Sequence, residues 1–404
     1  AQTPVSLSLD KAYGLAKQNY PLIKQRELIK QTTNLTIDNL SKAFLPQASI
    51  SGQATYQSEV TQIKIPIPGI NIEPLSKDQY KIIADVNQLV YDGGVTKQQK
   101  NIQQLNDDVE QQKIEVELYK VKDRINQLFL GALFLDEQLK QVELVRSDLN
   151  TGIKRVEAQV NNGVAFKSNL NTLKAELLKA EQREIELTAS RKGLIDVLGL
   201  FINQSLPENT ILEKPSVTTT IDNTVERPEL KLFASQDKLL LSQNKLIAAK
   251  NTPKASLFAQ GGYGRPGLNF LNNDFAFFYT TGLRLNWNLG GLYTKKNDKK
   301  LVEVNQKLID VQKETFLLNT NTALKQQQAE VDKYRKLVST DAAIIDLRLS
   351  VKEAAKAQLE NGVITANDYL REVNAEDQAR QSLITHNIQL LQAQINYQTT
   401  AGKQ

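Results

Sequence analysis

The chain repeats its own sequence pattern, and this duplication constrains the fold more than any other feature. Pro46 matches Pro253 at a shift of 207 residues (253 − 46), and Asn162 matches Asn361 at a shift of 199 residues (361 − 162). A shift that changes from one segment to the next is typical of duplication followed by insertions and deletions in loops. The sequence therefore predicts two structural repeats rather than two unrelated domains.

Each predicted repeat contains two strands, a long helix and a returning helix, and two shorter helices at residues 8–18 and 21–44 precede the first strand. The assignments follow the two periods of apolar residues, two for strands and 3.6 for helices. The first repeat, 1–207, has strands at 47–57 and 79–91 and helices at 95–160 and 168–199; the second, 228–404, has strands at 254–264 and 275–289 and helices at 293–360 and 367–400. An irregular link, residues 208–227, joins them.

The four predicted strands are each apolar on one side and polar on the other. From Phe275 to Leu289, every second residue lacks a charge. This alternation is typical of membrane-spanning β-strands, and a soluble sheet with one buried face shows it too. Phe258 and Phe278 point to the polar side. Aromatic residues near the strand ends suit the interface girdles of a membrane barrel: Tyr80, Tyr91, Tyr263, Phe277, Tyr279 and Trp287.

The long helices carry apolar stripes that predict coiled-coil packing. From Leu118 to Val142, apolar residues recur at alternating steps of three and four, which gives the seven-residue period of a left-handed coiled coil. A similar stripe begins at Leu301, Val304 and Leu308. Each long helix is predicted to end at an Asn-Gly-Val turn. These turns are Asn162-Gly163-Val164 and Asn361-Gly362-Val363, followed by predicted N-caps at Ser168 or Asn169 and at Asn367 or Asp368.

Composition excludes several classes of function. The chain has no cysteine and a single histidine, His386, and we find no nucleotide-binding motif. We therefore predict no catalytic residues, no metal site and no cofactor. The net charge of +5 comes from 50 basic and 45 acidic residues that are interspersed, so nucleic acid is not a predicted partner.

The chain begins with Ala1-Gln2, which we interpret as the product of signal-peptide removal during export.

Four strands are too few to close a membrane barrel, because the smallest barrels have eight and an open edge leaves backbone groups unpaired in lipid. Several copies of the chain must therefore share one barrel if these strands cross a membrane. In that arrangement the polar strand faces line a water-filled pore and the apolar faces contact lipid. The expected assembly is a homo-oligomer.

Taken together, these features resemble the TolC-like outer-membrane efflux proteins, also called outer membrane factors. The resemblance covers nearly the whole chain through its duplicated order of elements. Its most specific local matches are Leu45-Pro46-Gln47 before the first strand, Asp92-Gly93-Gly94 between strand and helix, and the two Gly turns. The resemblance implies a mixed α and β fold, in which a homotrimer builds a twelve-stranded transmembrane β-barrel on a periplasmic α-helical barrel, with residues 208–227 in the equatorial region.

The resemblance also implies a function and a set of sites. Such proteins are passive conduits of tripartite export systems in the Gram-negative outer membrane, joined to an inner-membrane pump by a periplasmic adaptor. By this likeness, the two Asn-Gly-Val turns form the adaptor-docking tip, and Asp368 with its counterpart Asn169 constricts the pore. The residues two positions after each turn glycine are Ala165 and Ile364, so the Arg that some relatives carry at the second position is absent.

Two other classes of function remain open from sequence. A periplasmic helical adaptor or structural coiled-coil protein would use the long helices, yet it leaves the alternating strands and their aromatic ends unexplained. An enzyme that relies on carboxylates alone would need a pocket, and no set of residues in the sequence indicates one. We therefore favour the export conduit, which accounts for the strands, the helices and the duplication together.

Overall fold

The computed structural model describes residues 6–62, 74–217 and 224–403. Pro66, Pro68 and Gly69, predicted to lie in the loop between the first two strands, and the Thr218-Thr219-Thr220 run of the link lie outside these ranges. The described residues contain six strands and seven α-helices: β1 (Ser6–Leu7), α1 (Leu9–Asn19), α2 (Gln25–Ser41), β2 (Gln47–Tyr56), β3 (Asp78–Tyr91), α3 (Val95–Asn161), α4 (Lys167–Ile202), β4 (Ile211–Leu212), α5 (Pro228–Lys250), β5 (Lys254–Arg265), β6 (Ala276–Asn286), α6 (Gly291–Glu360) and α7 (Ala366–Ala401).

Two predicted elements need correction. The fourth predicted strand, 275–289, is β6 and ends at Asn286, so Trp287 follows the strand instead of lying in it. Asn286 pairs with Lys254, the first residue of β5, so the residues beyond it have no partner on that strand. The link is not wholly irregular, because β4 pairs in parallel with β1. Strands of two residues are too short for a periodic signal.

The described chain divides into two compact units. Unit 1 comprises residues 1–26, 112–232 and 312–404, and unit 2 comprises 27–111 and 233–311. Each unit therefore takes segments from both predicted repeats, and the long helices α3 and α6 contribute to both. The division into repeats at 1–207 and 228–404 stays a prediction.

Unit 2 contains a four-stranded antiparallel sheet in the order β2-β3-β5-β6. The strands that match between the predicted repeats, β2 with β5 and β3 with β6, are separated by one strand in this order. The central pair is β3 with β5, where Ile82 faces Tyr263. The outer strands β2 and β6 each have one hydrogen-bonded neighbour in this sheet. Each outer strand therefore has an edge with unpaired backbone N–H and C=O groups, which can accept another strand.

Unit 1 is largely helical, and its apolar side chains form two large buried clusters and a small one of Leu324, Tyr397 and Ala401. One cluster gathers α1, α3, α4 and α7 around Phe129 and Leu198. The other gathers α3, α4, α6 and α7 around Leu173 and Tyr369. The seven-residue stripe of α3 enters these clusters through Ile125, Ala132 and Val142, and Leu118 at its start is also buried.

The stripe of α6 behaves differently from that of α3. Leu301, Val304, Leu308 and Val311 are exposed in the single chain, whereas their neighbour Val302 is buried. The predicted seam of α6 is therefore open to solvent in the single chain. None of the helices in the described ranges combines the length and the apolar character needed to cross a membrane.

Candidate membrane sheet and helix-turn sites

The sheet of unit 2 exposes its apolar face. Ile50 on β2 is 80% exposed and Phe277 on β6 is 86% exposed. Their neighbours on the same face are also exposed: Tyr56, Tyr80, Ile82, Val86, Leu257, Tyr263, Tyr279, Leu283 and Leu285. A soluble sheet buries its apolar face against a core. This sheet does the opposite, and its largest apolar side chains have no protein neighbour to cover them among the described residues.

The polar face is the more sheltered side. On β3, Lys81, Ile83 and Asp85 are half-buried, while Ile82 and Ala84 between them are exposed. Asp85 accepts a hydrogen bond of 2.8 Å from the Gln260 side-chain amide on the neighbouring strand. Polar groups on this face thus contact one another across strands.

Two phenylalanines on the polar face lie against glycines on the facing strand. Phe278 pairs with Gly262, and Phe258 pairs with Gly282. A Cβ at Gly262 would lie 2.5 Å from Cζ of Phe278, so the ring occupies the space that a side chain would take. The Arg284 guanidinium lies 4.7 Å from the centroid of the Phe258 ring. Both rings therefore lie flat along the wall of the sheet, which fits packing rather than a projecting binding group.

The aromatic residues fall at the two ends of the apolar face. At the loop end, the Tyr263 ring lies 4.6 Å from Phe277 and 5.6 Å from Phe275, and Tyr80 lies 6.4 Å from Phe275. Phe275 belongs to this cluster, although sequence analysis did not place it among the girdle residues. Tyr279 is exposed two residues further along β6.

Tyr91 and Trp287 lie at the opposite end of the sheet. The Trp287 indole N–H donates to the Asn251 carbonyl at 3.1 Å, which fixes the ring although it lies past the end of β6. Tyr80 and Tyr91 are 11 residues apart on β3 (91 − 80), or about 36 Å at ~3.3 Å per residue. A strand tilt of about 45° reduces this to about 26 Å, close to the apolar band of outer-membrane barrels.

Both Asn-Gly-Val turns of unit 1 adopt the same backbone conformation. Gly163 has φ 75° and Gly362 has φ 69°, the left-handed region that glycine adopts without strain. The Val164 N–H donates to the Gln159 carbonyl at 2.9 Å, and the Val363 N–H donates to Gln358 at 2.8 Å. These bonds close the helix ends as Schellman motifs.

The turns present apolar side chains to solvent. Val164 is 75% exposed and Val363 is 71% exposed. Phe166, which sequence analysis did not single out, is also exposed close to the first turn. Contiguous apolar patches mark surfaces that bind a partner, whereas single exposed apolar residues are common. The predicted tip exposes Val164 and Phe166 at the first turn and Val363 at the second.

The predicted N-caps of the returning helices are wrong by a few residues. Helix α4 is capped by Phe166, without a side-chain hydrogen bond, and α7 is capped by Thr365. Asn169 lies inside α4, and its backbone N–H donates to the Phe166 carbonyl at 3.0 Å. Asp368 is the third residue of α7, so the Thr-x-x-Asp signal of a capping box was present in the sequence.

Asp368 and Thr365 bond each other reciprocally. The Asp368 N–H donates to the Thr365 hydroxyl at 3.2 Å, and the Asp368 carboxylate accepts from the Thr365 N–H at 3.1 Å and from its hydroxyl at 2.7 Å. Hydrogen bonds from the Thr365 side chain and backbone hold the pKa of Asp368 below its ordinary value. The carboxylate is thus charged at neutral pH and half-exposed beside the second turn. Its predicted role at a constriction, shared with Asn169, stays a prediction.

A buried ionic cluster in unit 1 escaped sequence analysis. Lys352 on α6 is 6% exposed, and its ammonium lies 2.8 Å from the Asp148 carboxylate on α3 and 3.5 Å from Glu376 on α7. Glu376 is 3% exposed and also bonds Arg380. The cluster joins three helices. No local pattern marked it, since all four residues lie on helices whose charged residues otherwise resemble a solvated face.

Two further polar groups of unit 1, His386 and Lys122, contact neighbouring side chains. His386 Nδ1 lies 2.5 Å from the Asp341 carboxylate across α7 and α6. A cavity of about 670 Å³ is lined in part by Tyr13, Tyr119 and Lys122, and the Lys122 ammonium lies 5.0 Å from each tyrosine ring centroid. Burial lowers the pKa of Lys122. Among the described residues, no group of three His, Cys, Asp or Glu side chains is placed to hold a metal ion.

Several solved outer-membrane proteins share this architecture. VceC from Vibrio cholerae has a TM-score of 0.67 at 13% identity, over 98% of this chain and 96% of that protein. The chain has the fold of outer membrane factor channels. The outer-membrane channel OprN gives a TM-score of 0.69 at 10% identity, over 98% of this chain and 90% of OprN. The channel MtrE from Neisseria gonorrhoeae, solved in an open state, gives a TM-score of 0.64 at 12% identity, over 98% of this chain and 89% of MtrE.

The sequence-based resemblance to outer membrane factors is confirmed at the level of the fold. The chain matches no protein-family model and no curated protein. An outer membrane factor fold can therefore be recognised here from the order of elements and from structure, at identities of 10% to 13% with the solved channels above.

Proposed function

We propose that this chain is the outer-membrane channel-tunnel of a tripartite export system. The observation that carries the proposal is the inverted sheet of unit 2, whose apolar face is exposed and whose polar face is half-buried on the central strands β3 and β5. A sheet of this kind is stable where lipid covers the apolar face and water fills the space beside the polar face. The aromatic residues at both ends of the apolar face suit the two lipid–water interfaces.

The number of strands argues for at least three copies of the chain. Two copies would supply eight strands, and an eight-stranded barrel has an interior that side chains fill or that holds one small ligand. Three copies supply twelve strands (3 × 4). Three is thus the smallest number of copies whose barrel has a wider lumen than an eight-stranded barrel. The open edges of β2 and β6 would pair between neighbouring copies, since a closed ring leaves no unpaired edge in lipid.

The exposed stripe of α6 supports the same assembly. Leu301, Val304 and Leu308 follow the spacing of a coiled-coil seam and are exposed in the single chain. A helix of a neighbouring copy would cover this stripe in a homotrimer. The trimer thus accounts for an apolar surface in the helical part as well as in the sheet.

In this proposal the helices extend into the periplasm, and the turns at Gly163 and Gly362 form the tip that a periplasmic adaptor binds. The exposed Val164, Phe166 and Val363 supply apolar contacts for that adaptor.

We find no nucleotide-binding motif in the sequence, so the driving force for export would come from an inner-membrane pump. The chain itself acts as a passive conduit that opens when the adaptor binds the open state more tightly than the closed one.

The alternative function, a periplasmic helical adaptor or structural coiled-coil protein, is weaker. An adaptor or coiled-coil function would account for the helices of unit 1 and the apolar seam of α3. It gives no reason for a sheet that exposes Ile50 and Phe277 while sheltering Lys81 and Asp85. In water, so large an exposed apolar face would lead to aggregation.

Cysteine labelling of adjacent strand residues tests the proposal. The chain contains no cysteine, so each variant carries a single thiol. Ile50→Cys and Ser51→Cys lie on opposite faces of β2. In membranes that contain the protein, a water-soluble maleimide should label Ser51→Cys and leave Ile50→Cys unmodified until detergent denatures the protein. Equal labelling of the two variants in intact membranes would refute the lipid-facing assignment.

A further inference from the structure

The polar face of the sheet carries more positive than negative charge. Its charged residues are Lys81, Lys254, Arg284 and Asp85, which give +2 for each copy of the chain (3 − 1). The residues that β2 contributes to this face are uncharged: Gln47, Ser49, Ser51, Gln53 and Thr55. A trimer would therefore place a net charge of +6 (3 × 2) on the inner wall of its strand section.

The strand register separates these charges along the sheet. Arg284 pairs with Ser256, and Lys254 pairs with Asn286 one step further on the same face, so both cations lie at the end from which α3 begins. Lys81 pairs with Gly264 near the loop end. Asp85 lies between them, where it accepts the Gln260 hydrogen bond. Cationic groups thus lie on both sides of the single carboxylate.

These cations differ from other charges of unit 2 in their ion pairing with described residues. Arg265 and Asp78, at the loop end of the apolar face, pair with each other. In contrast, none of the ion pairs between described residues joins a carboxylate to Lys81, Lys254 or Arg284. Arg284 instead contacts the face of the Phe258 ring, which leaves its positive charge directed along the sheet surface.

We propose that the strand section of the conduit favours anionic solutes over cationic solutes of the same size, and that Lys81, Lys254 and Arg284 set this preference. The inference rests on the proposed function, in which the polar face lines the pore. Walls of low dielectric focus the field of one-sided charge and raise the local concentration of counter-ions. Rings of Arg and Lys act in this way in pores that select anions.

Thiol reactivity in the pore measures this potential directly. Thr280→Cys lies on the polar face opposite Gln260, and the control Thr281→Cys lies on the apolar face opposite Ala259. Each variant, reconstituted in liposomes, is treated with a negatively and with a positively charged methanethiosulfonate of similar size. At Thr280→Cys, the ratio of anionic to cationic reaction rates should exceed that of a small free thiol by about tenfold at low salt. The ratio should approach the free-thiol value at ~1 M salt, because the Debye length there is about 3 Å and the charges of the wall are screened.

Charge variants in the Thr280→Cys background assign the effect to residues. Lys81→Gln and Arg284→Gln should each lower the rate ratio from about tenfold to about threefold, and Asp85→Asn should raise it, because the logarithm of the ratio follows the net charge of the wall. Lys300→Gln, outside the sheet on α6, is the matched control and should leave the ratio unchanged.

The outcomes separate this inference from the proposed function. If Thr280→Cys reacts readily but shows the free-thiol ratio or a preference for the cationic reagent, the inference is overturned while the water-filled pore stands. If Thr280→Cys does not react, or reacts no faster than Thr281→Cys, the polar face does not line a pore. In that case the proposed function fails and the inference fails with it.

Discussion

At the scale of single residues, the charged side chains of unit 1 differ in what surrounds them. Lys352 is buried where three helices meet, and it contacts carboxylates on two of them. Lys333 is exposed on α6 and pairs with Glu330 one turn away. Both lysines belong to helices rich in Lys, Gln and Glu, so sequence alone assigns them to a solvated face. Burial of Lys352 depends on how α3, α6 and α7 pack, which no local pattern encodes.

Removal of the Lys352 ammonium should destabilise the helical unit. Lys352→Ala leaves the buried Glu376 with Arg380 alone, and breaking a buried pair typically costs about 3 kcal/mol or more. Lys333→Ala removes a fully exposed pair and should change the stability little, because solvent screens such pairs. Unfolding midpoints of the two variants, followed by circular dichroism in the same detergent, compare these costs. Equal midpoints would show that the Lys352 cluster does not stabilise the bundle.

Asp368 should make the start of α7 sensitive to acid. Hydrogen bonds from Thr365 lower the pKa of Asp368 below its ordinary value of 3.8. The stabilisation that this carboxylate provides is therefore fully present above pH 3.8 and is lost as the pH falls through the lowered pKa. Wild type should be more stable than Asp368→Asn at neutral pH, and the difference should disappear in strong acid. Asp346→Asn, in the middle of α6, is the control. A difference that stays constant with pH would contradict the capping box.

At the scale of elements, the sequence predicted those features that a local period encodes. The apolar stripe of α3 is buried as expected, because seven-residue spacing determines which side of a helix packs. The strands with alternating residues are present, and Asn-Gly-Val closes both long helices. The β1–β4 pair was missed because two residues show no period. The end of β6 was placed too late because apolar alternation continues through Trp287, although β5 offers no partner there.

The turn between α6 and α7 should be necessary for adaptor binding. Val363 is exposed, so Val363→Asp places a charge on the proposed docking patch without disturbing a core. Export should fall sharply and co-purification of the adaptor should be lost, while the oligomer stays intact, because desolvating an unpaired carboxylate at an interface is costly. Ser339→Asp, at an exposed position in the middle of α6, is the matched control. Normal export by Val363→Asp would place the docking site elsewhere.

At the scale of the whole molecule, the single chain is incomplete in two ways. The sheet of unit 2 has open edges on β2 and β6, and the apolar stripe of α6 is exposed to solvent. Sequence reasoning reached the need for several copies from the number of strands alone. It could not show which face of the sheet is sheltered, because a soluble sheet and a membrane sheet alternate in the same way.

The mass of the assembly extracted from outer membranes is the most direct test of the central claim. Light scattering with the bound detergent subtracted gives this mass, and the chain itself is 45.3 kDa. The account predicts a particle of three chains, found in the outer-membrane fraction and dependent on detergent for solubility. A monomer or dimer that stays soluble without detergent would contradict it, because the apolar face of the sheet would then need no lipid.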